Sequence, residues 1–183
     1  MKLRMASICL FLLILSITTG IVSGKDYIPI KEESWDNLKE WQRFNIVLRN
    51  STGETLSIAG YYFKRSIIED FYGGQLNRKA ETYVNAVESI WPSKTVLAIS
   101  VSPYDIQSEG YHFSPDKFRF SQDLSWYHID VTEYILGEEK FFGGKLKAVT
   151  AGFIAIPDGI NLSKGFRIWY EEKSANLGAL NRN

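Results

Sequence analysis

Two histidines are present, His112 and His128. His128 and Asp130 stand two residues apart, so on a strand their side chains would share a face. Such a pair can work as base and orienter or offer two ligands to a metal. A half-buried sheet histidine is the simpler reading, since only one other histidine is available. Carboxylates are plentiful, and two facing acids would suit a hydrolase. The pairs Glu69-Asp70, Glu138-Glu139 and Glu171-Glu172 read more simply as solvated turns or strand ends. The chain has no G-x-S-x-G, no P-loop and no H-E-x-x-H. Its single cysteine, Cys9, excludes a disulfide framework and a multi-cysteine zinc site. No catalytic residue, metal or cofactor is assigned on this basis.

The aromatics carry a stronger signal. Five Trp, ten Tyr and eleven Phe make up 14% of the chain, against which strand propensity and core filling explain only a part. Several are adjacent: Tyr61-Tyr62-Phe63, Phe71-Tyr72, Tyr111-His112-Phe113, Trp126-Tyr127, Phe141-Phe142 and Trp169-Tyr170. Neighbours on a strand face opposite sides, so one ring of each pair should look outward or toward a second sheet. Exposed rings of this kind stack on sugars or sit at a membrane interface. Tyr104, Tyr111, Trp126 and Trp169 are the expected ligand-binding aromatics.

The elements that must position them read mainly as β. FNIVLRN (44–50) alternates, Asn50 to Gly53 is a turn, and TLSIAGYYFKRS (55–66) completes a hairpin. TVLAISVS (95–102), FRFS (118–121), WYHIDV (126–131), KLKAVTAGFIAIP (145–157) and GFRIWYE (165–171) follow as strands. Residues 79–90 fit either strand or helix. KEESWDNLKEWQR (31–43) reads as one short amphipathic helix, with Ser34 as its N-cap and Trp35, Leu38 and Trp41 spaced by three. The expected fold is all-β, an antiparallel β-sandwich or jelly-roll after that N-terminal helix. The expected divisions are an address at 1–24, an extension and helix at 25–43, the β domain at 44–172 and a flexible tail at 173–183.

Residues 1–24 have the layout of a secretory signal peptide: Lys2 and Arg4, an apolar run from Ile8 to Ile17, then Ser23 and Gly24. The alternative is an uncleaved membrane anchor over 5–22. The whole chain balances 21 Lys and Arg against 21 Asp and Glu. Cleavage after Gly24 would remove Cys9 and two basic residues, leaving 159 residues with 19 basic and 21 acidic. That balance argues against binding nucleic acid by neutralising phosphates. Two sequons, at Asn50 and Asn161, fall in expected turns, where a glycan would be tolerated.

One run of short motifs resembles a known family. Arg43, Ile46, Asn50, Gly53 and Thr55 are followed by Tyr62, Phe63 and Ser66. Ser100, Val101, Pro103, Tyr104 and Asp105 come next. This order is similar to that of the actinoporin-like cytolysins, which are secreted, cysteine-free β-sandwiches with an N-terminal amphipathic helix. The resemblance implies a choline-headgroup site at Ser100, Pro103 and Tyr104, and a bilayer-contacting helix carrying Trp35, Leu38 and Trp41. The chain departs from the family in having no R-G-D, no basic charge, and Glu109 to Phe113 where paired tryptophans are expected. WYHIDVT (126–132) and VTAGFIAIP (149–157) also resemble secreted jelly-roll modules of cell-surface proteins.

These readings point to a secreted or cell-surface module that binds a glycan or membrane lipid through exposed aromatics. Two alternatives stand beside it. One is a self-associating subunit of an extracellular layer or filament, with 25–34 as a donated edge strand. The other is a carboxylate-dependent hydrolase.

Overall fold

The computed structural model describes residues 36–76, 78–105, 110–130, 133, 135–137 and 139–180. The address at 1–24, Cys9, Trp35 and the rest of the extension up to residue 35 lie outside the described residues. The described chain is mostly β, with three antiparallel sheets and two helices.

Strand β1 (Arg43–Arg49) shows why alternation works. Phe44, Ile46 and Leu48 are buried while Asn45, Val47 and Arg49 face water. It pairs with β2 (Thr55–Tyr62) across the turn expected at Asn50. There the Asn50 side-chain oxygen accepts the N–H groups of Thr52 and Glu54, at 3.1 and 2.9 Å. Gly53 sits at φ +90°, a conformation open to glycine. β2 pairs with β3 (Val96–Tyr104), β3 with β9 (Thr150–Ala155), and β9 with β7 (Ile135–Gly137). The resulting five-stranded sheet has the order β1-β2-β3-β9-β7.

The second sheet has four strands in the order β11-β10-β5-β6. They are β5 (Phe118–Gln122), β6 (Ser125–His128), β10 (Phe166–Tyr170) and β11 (Lys173–Leu177). Its inward side carries Phe118, Phe120, Phe166, Ile168, Tyr170 and Leu177, all nearly inaccessible. A small third sheet pairs β4 (Tyr111–Phe113) with β8 (Gly144–Leu146). The two larger sheets touch through aromatics. Tyr62 meets Phe166 edge-on at 6.2 Å between centroids, and the Tyr62 hydroxyl donates to the Gly178 carbonyl at 2.7 Å. From the small third sheet, Phe113 stacks on Tyr170 with planes 9° apart.

Five sequence expectations change. First, the described part of 31–43 is not a continuous helix. Lys39 is extended, Glu40–Gln42 make one 3-10 turn, and β1 begins at Arg43. The Gln42 side-chain oxygen accepts the Lys39 N–H at 2.7 Å and Leu38 is buried, which holds this short turn in place of a longer helix. Second, the strand expected over 55–66 stops at Tyr62, and α1 (Arg65–Phe71) follows, burying Ile67, Ile68 and Phe71. Third, the ambiguous 79–90 segment is helix α2 (Arg78–Ile90), with Ala80, Val84 and Val87 buried at helical spacing. Fourth, the tail expected to be flexible pairs along Lys173–Leu177 with β10. Its Leu177 is buried, and Glu171 at φ +53° opens a two-residue turn. The long run 145–157 is also divided, between β8 and β9, which lie in different sheets.

Candidate ligand-binding face

The outward side of the four-stranded sheet follows from register. β5 and β10 share a pattern, Phe-Arg-Phe-Ser-Gln and Phe-Arg-Ile-Trp-Tyr, in which positions 1, 3 and 5 are buried. The residues between them must point outward. Pairing sets Arg167 opposite Ser121 and Trp169 opposite Arg119. On the other side of β5, Ser121 lies opposite Trp126 and Arg119 opposite His128. On β11, Asn176 lies opposite Arg167 and Ser174 opposite Trp169. One row across the face is therefore Asn176, Arg167, Ser121, Trp126. The next row is Ser174, Trp169, Arg119, His128.

Ser121 leaves space between the two tryptophans. The rings of Trp126 and Trp169 approach to 5.2 Å between centroids, tilted by 45°. The Trp169 indole N–H donates to the Ser121 hydroxyl at 2.8 Å, which fixes the ring's orientation. Trp126 is 52% exposed, and Trp169 is half-buried beside it. Arg119 places its guanidinium carbon 5.5 Å from the centre of the Trp126 ring and donates to the Glu171 carbonyl at 2.6 Å. The Glu171 carboxylate in turn meets Lys117 Nζ at 2.6 Å.

A depression of about 500 Å³ lies against these rings. Trp126, Trp169, Arg167, Ser121, Asp123 and Asn176 line it, with Gln122 and Phe166 among the deeper residues. Gln122 is buried and fully engaged. Its amide nitrogen donates to the carbonyls of Asn161 (2.8 Å) and Gly165 (3.2 Å), and its oxygen accepts the Asn161 N–H at 2.7 Å. This clamp fixes the loop before β10 to the end of β5. Tyr127 holds the same loop by donating its hydroxyl to the Gly159 carbonyl at 2.9 Å.

The structure gathers only two of the four expected aromatics. Tyr104 is 54% exposed but ends β3 in the other sheet. Tyr111 is 7% exposed, a correction to its expected place on an open face. β4 turns Tyr111 and Phe113 inward and His112 outward. Burial, with Glu171, Glu172 and Glu54 nearby, raises the Tyr111 pKa. Leu38, an expected membrane contact, is 2% exposed. Trp41 is half-buried against Tyr62 and Gly178, where a Cβ on Gly178 would collide with it. Trp35 lies outside the described residues. Of the residues implied by the cytolysin resemblance, Ser100 and Pro103 are half-buried on β3.

His128 is exposed on the same face as Trp126, and Asp130 lies two residues beyond the end of β6. Among the described residues no group of three or more His, Cys, Asp or Glu is placed to hold a metal. Also among them, no helix is long and apolar enough to cross a membrane. The carboxylate pairs fall on separate elements: Glu69-Asp70 on α1, Glu139 at a 3-10 turn and Glu171-Glu172 between β10 and β11, with Glu138 outside the described residues. Both sequons sit in turns. Asn50 and Asn161 each accept a hydrogen bond from the hydroxyl two residues on, Thr52 and Ser163, at 2.7 Å. The Asn50 amide nitrogen also donates to Glu54 at 2.8 Å.

Sequence reasoning missed Arg119, Ser121, Arg167 and Asn176. The signal was available in the twin Phe-Arg strands, where each arginine interrupts an apolar alternation at the same offset. No protein-family model, no curated protein and no solved structure matches this chain. The likeness to actinoporin-like cytolysins therefore rests on its short motifs alone.

Proposed function

We propose that this protein is a secreted or cell-surface module, a two-sheet β-sandwich, that binds a carbohydrate chain on the outer face of its four-stranded sheet. The observation that carries the reading is the Trp126–Trp169 pair, held against a depression rimmed by hydrogen-bonding side chains. Sugar rings have apolar C–H faces and polar edges. Indoles suit the faces, and Ser, Asn, Asp and Arg suit the hydroxyls. A volume near 500 Å³ lies within the ~300–1,000 Å³ range of small-molecule sites. A lipid surface is less well served. Polar side chains alternate with the rings, and the whole chain carries no net charge to draw it to anionic lipid.

The test is a glycan array and affinity electrophoresis on the full-length chain, beside its Trp126→Ala, Trp169→Ala double variant. The expected result is retention by at least one polysaccharide, lost in the double variant while far-UV circular dichroism is unchanged. Equal retention of both proteins would reject this face, and retention by no glycan would reject the function.

A further inference from the structure

We infer that the tryptophan depression selects sugars that carry a carboxylate, such as uronic acids, and that Arg167 is the residue that receives it. This rests on the carbohydrate reading above and adds the class of sugar. The two arginines on the face are in different states. Arg119 is committed, with its guanidinium bonded to the Glu171 carbonyl and lying near the Trp126 ring. Arg167 is exposed and lines the depression. Its Nε donates to the Asn176 side-chain oxygen at 3.1 Å. Its two terminal nitrogens have no hydrogen-bond partner among the described residues.

That arrangement is an aimed, half-used guanidinium. The Asn176 bond restrains the group, and the free end presents a planar pair of donors. A carboxylate matches such a pair with two parallel charge-assisted hydrogen bonds, which a hydroxyl cannot do. Along the strand Trp169 is two residues from Arg167, so both side chains leave the same face of β10. A pyranose stacked on Trp169 would turn its equatorial substituents toward that guanidinium. The one carboxylate in the lining, Asp123, has Lys164 at 3.6 Å, which offsets its repulsion of an anionic guest. Charge at the depression is thus net favourable to an anion although the chain as a whole is neutral.

The experiment uses the full-length chain and three probes: oligogalacturonate, the same oligosaccharide with its carboxyls reduced to alcohols, and anionic phospholipid vesicles. Isothermal titration is run for wild type, Arg167→Gln and, as a control on α1, Arg65→Gln. The expected result is roughly ten- to a hundredfold tighter binding of the acid form than of the reduced form. That ratio should fall toward one in Arg167→Gln and stay in Arg65→Gln. It should also shrink as salt is raised. Equal binding of both sugars by wild type overturns the inference and leaves the carbohydrate reading standing. A ratio that survives Arg167→Gln overturns the assignment to Arg167. Binding to vesicles with none to either sugar overturns both readings.

Discussion

The two larger sheets have outward faces made by the same backbone geometry and filled with opposite chemistry. On the five-stranded sheet the outward rows run Asn45, Ala59, Ser100, then Val47, Ser57, Ser102, then Arg49, Thr55, Tyr104. Most of those side chains are short. On the four-stranded sheet the rows are Asn176, Arg167, Ser121, Trp126 and Ser174, Trp169, Arg119, His128. A single small residue there makes room between large ones. Short side chains leave little that could grip a ligand. Two rings set across one serine, with guanidinium groups alongside, combine stacking surface with directed donors. Ring abundance alone does not distinguish the faces, because the first sheet also has buried rings, Phe44 and Tyr62 on its inner side and Tyr61 under α1. Tyr61, for example, is outward by register yet buried, stacked on Phe71 of α1 at 5.7 Å.

The largest expected effect separates the two sides of one strand. Phe120 is fully buried on β5, between the outward Arg119 and Ser121. Phe120→Ala should cost about 3–5 kcal/mol of stability by urea unfolding. Trp169→Ala, on the outer face of the adjoining strand, should cost less than half of that. Equal losses would mean that Trp169 belongs to the core, and the contrast between inner and outer sides would collapse.

Alkali tests burial by a different route, at the inward Tyr62 and Tyr170 and at Tyr61 beneath α1. Burial raises the pKa of Tyr61, Tyr62 and Tyr170 above the ordinary 10.0. In the unfolded chain these phenols ionise near pH 10, whereas in the folded chain they stay protonated. The unfolded state thus holds fewer protons above pH 10, and stability falls as pH rises there. Below pH 10 both states are neutral at these groups and their contribution is constant. Each tyrosine should remove about 1.4 kcal/mol per pH unit once its unfolded form is ionised. Thermal melts from pH 8 to 11.5 should be flat and then drop steeply past 10. The Trp126→Ala variant should follow the same curve, since Trp126 does not titrate.

The proposed carbohydrate site predicts a smaller effect on the outer face. Trp169→Ala should weaken binding of a retained glycan by roughly 1–2 kcal/mol, about five- to thirtyfold, through loss of a stacking ring. Ser121→Ala removes the hydroxyl that orients that ring and should cost under about 1 kcal/mol of binding. An effect of Ser121→Ala larger than that of Trp169→Ala would mean that the serine, not the indole, makes the main contact.

What could be read from the sequence follows the same division. The β1–β2 hairpin was legible because Phe44, Ile46 and Leu48 alternate cleanly before a strong turn signal. Trp126 and Trp169 were legible because each adjoins a tyrosine, and a strand must place the two on opposite sides. The same rule misplaced Tyr111, since in Tyr111-His112-Phe113 the pattern does not state which side is buried. The described part of the expected N-terminal helix and the tail depart from expectation for energetic reasons. Leu38 and Leu177 gain more by burial than local propensity offers, and Leu177 lies on a strand paired with β10. The depression was invisible because its parts come from four strands spread over 121–177, and register alone joins them.

The smallest expected effect is on the other face, and it tests the comparison most directly. Tyr104 is as exposed as Trp126, 54% against 52%. If exposure of a ring were sufficient for binding, Tyr104→Ala would weaken glycan retention as much as Trp126→Ala. The comparison of faces predicts otherwise. Tyr104 stands at the end of β3, opposite Thr55, among short side chains and on a different sheet from the depression. Its removal should change glycan affinity and stability by less than about 0.5 kcal/mol each. Titration of Tyr104→Ala beside Trp126→Ala with one polysaccharide decides this. A matching loss in both would place a single ligand across the two sheets, and the distinction between a binding face and a plain one would have to be given up.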